Sequence, residues 1–274
     1  MTPLIITVCG VGAEVSKAQQ PALPITPEEL AEDAARCRQA GASIYHLHVR
    51  DDSGEPTMSV DRFRAAKAAI EDASDLIVQF TSGGAVTDTE QDRLAPLSLR
   101  PEMASLTTGT VNFGDEVFSN PRPLIERFYD RMCDLDVLPE FEIFEAGMIA
   151  TAGSLYESRG STHHQHFDLV LGVPGAMPAW DDAVGFLAAH LPQDSTWSAT
   201  GIGRAHLPVT QAALRLGGHV RTGFEDVFYF EAGVPATSNA QLIERVAAMA
   251  RAEGREIASP EQARELLRLP SSKR

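Results

Sequence analysis

The sequence predicts an α/β fold: a (β/α)8 TIM barrel, one domain over residues 1–274 with an extra C-terminal helix at about 260–269. Three observations predict it. Short β-branched or apolar runs alternate strictly with helical stretches, and strict alternation implies a parallel sheet. The alternation repeats eight times, which favours closure into a barrel over an open doubly wound sheet. The chain has 274 residues, a length that α/β barrels use as a single domain, and no linker-like, repeated or low-complexity segment interrupts it.

The elements follow in order. Leu4–Cys9 is the first strand. Thr26-Pro27-Glu28-Glu29 opens a helix, with Thr as N-cap, Pro in the first turn and Glu29 at the capping-box position; the helix runs to about Ala40 and Gly41 stops it. Strand two is Ser43–Val49, followed by a turn at Asp51–Gly54 and a helix near Val60–Glu71. Leu76–Phe80 is strand three, Thr87–Leu94 a short helix, and Glu102–Leu106 strand four. A long loop, Thr107–Asn120, leads to a helix over Pro123–Leu135, strand five over Glu140–Phe144 and a helix through Glu157. Phe167–Leu171 is strand six, with a helix near Asp181–His190. Thr196–Thr200 and Leu207–Leu216 form the seventh unit, and His219–Phe224 and Asn239–Ala252 the eighth.

Composition narrows the function classes. Hydrophobic residues make up 43% of the chain, enough for a packed core. A net charge of −15 and a pI near 4.9 leave no basic footprint for nucleic acid. No apolar stretch approaches a membrane span. The N-terminal run reads as a first strand rather than a signal peptide, so a cytoplasmic protein is expected. Cys9, Cys37 and Cys133 form no CxxC pair and read as small buried hydrophobes.

A barrel places its active site at the C-terminal ends of the strands. Strand two ends in Ile44-Tyr45-His46-Leu47-His48. Side chains alternate faces along a strand, so His46 and His48 share one face and reach one ion. Zinc accepts neutral imidazole and keeps an open position in catalytic sites. The alternative for the pair alone is two histidines on a polar strand face. Strand eight ends in Arg221-Thr222-Gly223-Phe224-Glu225-Asp226, where alternation puts Arg221, Gly223 and Glu225 on one face. Glu225 is the natural third ligand, and Arg221, one layer deeper, can pair with Asp226 if the chain turns. An ordinary strand-end salt bridge explains the same residues. After strand three, Thr81-Ser82-Gly83-Gly84 lets backbone N–H groups approach an anionic ligand, with Ser82 adding a hydroxyl; a plain tight turn is the alternative.

Strand four runs into Thr107 and Thr108, strand one ends near Glu14, and strand five carries Glu140, Glu142 and Glu145, of which Glu142 could face the mouth. Arg204, after strand seven, suits a phosphate or carboxylate, or lies in solvent at a helix start. The cluster His163-His164-Gln165-His166 precedes strand six, at the far end of the barrel, and reads as a loop.

These motifs resemble a known family. GAE at 12–14, LPITPEEL at 23–30, AGASIYHLHVRD at 40–51, TSGGAV at 81–86, RPEMASLTTGT at 100–110, NFGD at 112–115, LGVPGAMPA at 171–179, TWSATGIGRAHLP at 196–208 and GGHVRTGFED at 217–226 are similar to the β-keto acid cleavage enzymes. The family includes the 3-keto-5-aminohexanoate cleavage enzymes. The resemblance implies a zinc ion on His46, His48 and Glu225, and a base dyad of Arg221 and Asp226. It implies Ser82 and Thr107 or Thr108 around the keto acid, with Glu14 and a strand-five carboxylate, placed at Glu142, lining the distal pocket; Gly83, from the turn's backbone, joins them as a substrate-binding candidate. It also implies acetyl-CoA as co-substrate, acetoacetate and a new acyl-CoA as products, and a homo-oligomer, with a tetramer favoured. Val227 follows Asp226 where the family often has Asn.

Two other classes compete. An amidohydrolase-like hydrolase would carry HxH on strand one and further histidines after strands five and six; a metal aldolase is a second enzyme alternative. A non-catalytic binding barrel explains the fold but not two histidines, a glutamate and an Arg–Asp pair converging on one mouth.

Overall fold

The eight apolar segments form short parallel strands: β1 Ile6–Cys9, β2 Ile44–Leu47, β3 Ile77–Phe80, β4 Met103–Thr107, β5 Leu138–Ile143, β6 His166–Leu171, β7 Thr196–Gly201 and β8 His219–Thr222. They close into a barrel in sequence order, with β8 returning to β1. The computed structural model describes residues 1–269; residues 270–274 of the expected span lie outside it.

Alternation explains how short strands serve two environments. Outward residues such as Val8, Tyr45, Val78, Phe80, Phe141, Phe167 and Leu169 pack into one large core under the helices. Those helices are α1 Pro27–Ala40, α2 Val60–Ala73, α3 Glu90–Leu94, α4 Arg122–Leu135, α5 Ala146–Arg159, α6 Ala183–Ala188, α7 His206–Leu216 and α8 Asn239–Ala252. A ninth, α9 Pro260–Leu266, plugs the bottom of the barrel, where Ala263, Leu267 and Leu269 meet Ile5, Ile44, Ile77, Met103 and Leu138. Above that apolar floor the barrel interior is polar: Gln79, Ser105, Glu140, His166, Asp168 and Ser198 are all buried. Among the described residues no helix is long and apolar enough to cross a membrane.

Helix α1 carries the capping chemistry the sequence advertises. Thr26 Oγ1 accepts from the Glu29 amide, Glu29 Oε2 accepts from the Thr26 amide, Pro27 stands at the start, and Gly41 ends the helix at φ 119°.

Four expectations need correction. Strand two stops at Leu47 rather than Val49: Val49 and Arg50 leave the barrel to pair antiparallel with Thr57 and Pro56, and His48 stands between the two strands. The segment 107–120 is no plain loop: Val111–Phe113 pairs antiparallel with Glu116–Phe118, because Gly114 supplies the left-handed turn (φ 63°) between two β-prone triplets. Strand eight stops at Thr222 rather than Phe224, since the amides of Asp226 and Val227 both turn back onto Gly223 O. His166 is not loop. It opens β6, faces inward and sits 3.1 Å from Glu140 Oε2, while its Nδ1 and His164 Nε2 both meet Thr196 Oγ1.

Candidate active site

The register at the barrel seam brings distant segments together. β1 pairs with β2 through Cys9 and His46, and with β8 through Thr7 and Arg221. The ends of β2 and β8 therefore flank the end of β1. Gly12 makes the approach of the last turn possible, since a Cβ there would lie 2.7 Å from Glu225 Cγ.

His46, His48 and Glu225 form a cluster in which one ligand atom from each lies within 4.8 Å of the others. His46 Nε2 is 3.9 Å from Glu225 Oε1, and His48 Nε2 is 3.7 Å from Glu225 Oε2. Gln79 Oε1 lies 2.7 Å from His46 Nδ1, so it accepts the ring proton and leaves Nε2 bare toward the cluster. Burial lowers both histidines, His48 to about 4, so the rings are neutral and their lone pairs free. Burial works against ionising Glu225, but the charge of Arg221 foremost holds it at about 2. Glu225 Oε2 is buried with no hydrogen-bond partner in the described structure. Neutral imidazoles, an ionised carboxylate and an unsatisfied oxygen fit a divalent cation such as zinc.

Beside this cluster Arg221 is ringed by carboxylates. Its Nε and Nη2 reach Asp226 Oδ2 and Oδ1 at 3.2 and 3.0 Å, Nη2 also bonds Glu225 Oε1, and Nη1 lies 3.3 Å from Glu142 Oε1 and 3.9 Å from Asp168 Oδ2. Burial works against its charge, but Asp226 and Glu225 hold it cationic. The carboxylates compete for that one cation. Burial pushes Asp226 up, Asp168 to about 6 and Glu142 to about 7.

Above lies a cavity of about 380 Å3. Its polar wall includes Glu14, Thr81, Gly83, Glu142, Arg221, Asp226 and the His–His–Glu cluster; Phe113, Phe118, Phe144, Val170, Val173 and Phe228 form much of the rest. Of the expected residues, His46, His48, Glu225, Arg221, Asp226, Glu14, Gly83 and Glu142 come together here. Ser82, Thr107, Thr108 and Arg204 are not part of the lining. Ser82 is buried under the turn, its carbonyl held by Arg93 Nε at 2.8 Å. Thr107 Oγ1 donates to Glu142 Oε2 at 2.6 Å, and Thr108 Oγ1 to Met148 O at 3.1 Å. Arg204 is exposed on a 3-10 turn, one residue beyond the lining Gly203. Glu145 stands at the N-cap position of α5 without a side-chain capping bond, off the cavity lining, and Glu140 pairs with His166 below, which leaves Glu142 as the strand-five carboxylate on the cavity.

Sequence reasoning missed Gln79, Asp168 and Cys9, and read Thr81 only as part of the turn after strand three. Asp168 is fully buried and accepts from Ser198 and Thr200 hydroxyls at 2.7–2.9 Å. Cys9 Sγ donates to Asp226 Oδ2 at 2.6 Å, and burial pushes its thiol well above the ordinary range. The available signal was alternation: each stands at an inward position of a strand or just past its end.

A closed β/α barrel whose strand ends converge on a cation-fitting cluster and a clamped aspartate defines a barrel enzyme rather than a binding scaffold. The chain belongs to the β-keto acid cleavage enzyme family, whose model matches residues 3–269. It is 46% identical over 272 residues to the 3-keto-5-aminohexanoate cleavage enzyme of Fusobacterium nucleatum subsp. nucleatum, covering 98% of this chain and 99% of that protein. It is 38% identical over 273 residues to the 3-oxoadipate:acetyl-CoA acetyltransferase of Cupriavidus necator, covering 98% and 96%. The solved ternary complex of ObcA with C4-CoA adduct and oxalate superposes with a TM-score of 0.80 at 23% identity, covering 92% of this chain and 68% of that one. That likeness bears on the fold, which is the same barrel.

Proposed function

We propose that this protein condenses a β-keto acid with acetyl-CoA and splits the adduct by a retro-Claisen step, releasing acetoacetate and a new acyl-CoA. One observation carries the reading: the His46–His48–Glu225 cluster and the Arg221–Asp226 pair open into the same cavity.

A zinc ion on His46, His48 and Glu225 would supply Lewis acidity to the oxygens of a bound keto acid. Asp226 removes the C2 proton, and Arg221 orients the carboxylate and balances its charge in both protonation states. The resulting enolate carbon attacks the acetyl thioester carbonyl, forming a C–C bond as CoA thiolate leaves. The thiolate then attacks the original ketone carbon. Breaking the old C2–C3 bond gives the new acyl-CoA and the enolate of acetoacetate, which takes its proton back from Asp226. The aromatic and aliphatic lining around this path keeps water from the thioester. Glu14 and Glu142 put carboxylates on the wall, which suits a substrate with a cationic group beyond the ketone.

The test is a coupled assay of acetoacetate formation from acetyl-CoA over neutral, amino-bearing and carboxylate-bearing β-keto acids. The reading expects turnover with at least one, highest for an amino-keto acid. Asp226→Asn should lower kcat by about 10²- to 10⁴-fold. His46→Ala should abolish both metal retention and turnover. No acetoacetate from any keto acid with the metal-loaded protein would overturn the reaction, and undiminished turnover in Asp226→Asn would overturn the base.

A further inference from the structure

The end of β1 is the template on which the Glu225–Asp226 turn is laid. Cys9 O accepts from the Glu225 amide at 3.2 Å. A Cβ on Gly223 would lie 2.2 Å from that same oxygen, so the turn sits directly on the strand end. Cys9 also reaches the turn with its side chain, its Sγ standing 2.6 Å from Asp226 Oδ2. No other cysteine of the chain approaches the site: Cys37 is in α1 and Cys133 in α4.

Counting acceptor positions shows what this contact does. A carboxylate offers roughly four lone-pair positions, two per oxygen. Arg221 takes one on each, through Nε on Oδ2 at 3.2 Å and Nη2 on Oδ1 at 3.0 Å. The Cys9 thiol takes the second on Oδ2. Oδ1 therefore keeps the open position, on a carboxylate that is 1% exposed yet lines the cavity.

We propose that Cys9 is a positioning residue: its thiol hydrogen fixes the Asp226 carboxylate so that Oδ1 is the oxygen that takes the C2 proton of the keto acid. The proposal rests on the reading of Asp226 as base. Cys9 itself touches no reacting atom; it acts by leaving the carboxylate one orientation and one free acceptor. An alanine at position 9 would free a second acceptor and let the carboxylate rock on the arginine, whereas serine keeps a donor of nearly the same reach.

Cys9→Ala and Cys9→Ser, each full-length and zinc-loaded, separate this from packing. The first measurement is exchange of the C2 protons of acetoacetate in D2O without acetyl-CoA, followed by NMR, which isolates proton abstraction. The second is kcat and the KM for acetyl-CoA in the cleavage assay. The proposal expects Cys9→Ala to slow exchange and kcat together by roughly three- to tenfold, with KM for acetyl-CoA and zinc content unchanged. Cys9→Ser should restore most of both rates. Exchange and kcat at wild-type levels in Cys9→Ala would overturn the role of Cys9, as would serine falling as far as alanine. A wild-type protein that neither exchanges nor cleaves would instead remove the reaction on which the proposal stands.

Discussion

Gln79 shows what one residue can hide. It sits in Leu76–Phe80, an apolar run whose single amide reads as an accident of a buried strand. In the barrel it is fully buried and its Oε1 meets His46 Nδ1 at 2.7 Å, which sets the ring orientation and the tautomer. On the proposed zinc site, replacing it by alanine should leave His46, His48 and Glu225 in place but weaken zinc binding by about 10- to 100-fold. A competition titration against a chelator of known affinity would measure this, and unchanged affinity would show that Gln79 merely fills the barrel. The histidine pair itself was legible because a spacing of two along extended backbone is a geometric statement, same face and adjacent pleats, and it holds although β2 ends at Leu47, one residue before His48. Glu225 and Asp226 were legible because they follow an arginine at a strand end. Cys9, Gln79 and Asp168 were not, because a lone thiol, amide or carboxylate in a hydrophobic strand acquires meaning only from a partner on another strand. Asp168 meets Ser198 and Thr200 from β7, and no pattern within β6 announces them.

At the scale of elements, local chemistry was the reliable guide. The capping box of α1 and the glycine after it bound that helix correctly because cap, proline and stop signal all lie within the segment. The hairpin inside 107–120 escaped because each strand is three residues long, too short to show alternation. Helix α1 also carries an element-level liability. Asp33 is buried between α1, β2 and α8, where its Oδ2 accepts from Tyr45 Oη and Asn239 Nδ2, both at 2.9 Å. Burial pushes it from an ordinary 3.8 to about 6 in spite of these donors. The folded protein thus holds this proton more tightly than the unfolded chain. Its stabilising contribution is complete below the unfolded value and is lost as pH rises through about 6, a difference of about 3 kcal/mol by neutral pH. Asp33→Asn keeps an acceptor for both donors and cannot ionise. Urea unfolding of the variant between about pH 4 and pH 7 should therefore show a shallower fall in stability with rising pH than wild type. Parallel curves would mean that Asp33 stays ionised in the fold.

Over the whole molecule the two ends of the barrel divide the labour. The upper end gathers buried polar groups: four carboxylates, two imidazoles and one guanidinium, mutually constrained. The lower end is apolar and closed by α9, held by Arg264 against Glu102 at 2.6 and 2.7 Å and by Leu4 pairing with Ile257. Eight β/α units were countable in the sequence, and the count implied both closure and which strand ends would meet. That α9 is the stopper was not legible, since an amphipathic terminal helix can pack anywhere. Leu267 tests the division, because it is completely buried in the floor with Ile5, Ile44, Ile77, Met103 and Leu138 around it. Leu267→Ala should cost about 2–5 kcal/mol of stability through lost burial and the cavity left behind. The residues of the mouth take their geometry from the strand ends and the turn after β8, which the floor does not touch. The folded variant should accordingly keep wild-type kcat and KM for both substrates, with the loss confined to the urea midpoint. A fall in kcat under conditions where circular dichroism shows the variant fully folded would mean that floor packing sets the tilt of the strands, and with it the distance from His46 and His48 to Glu225.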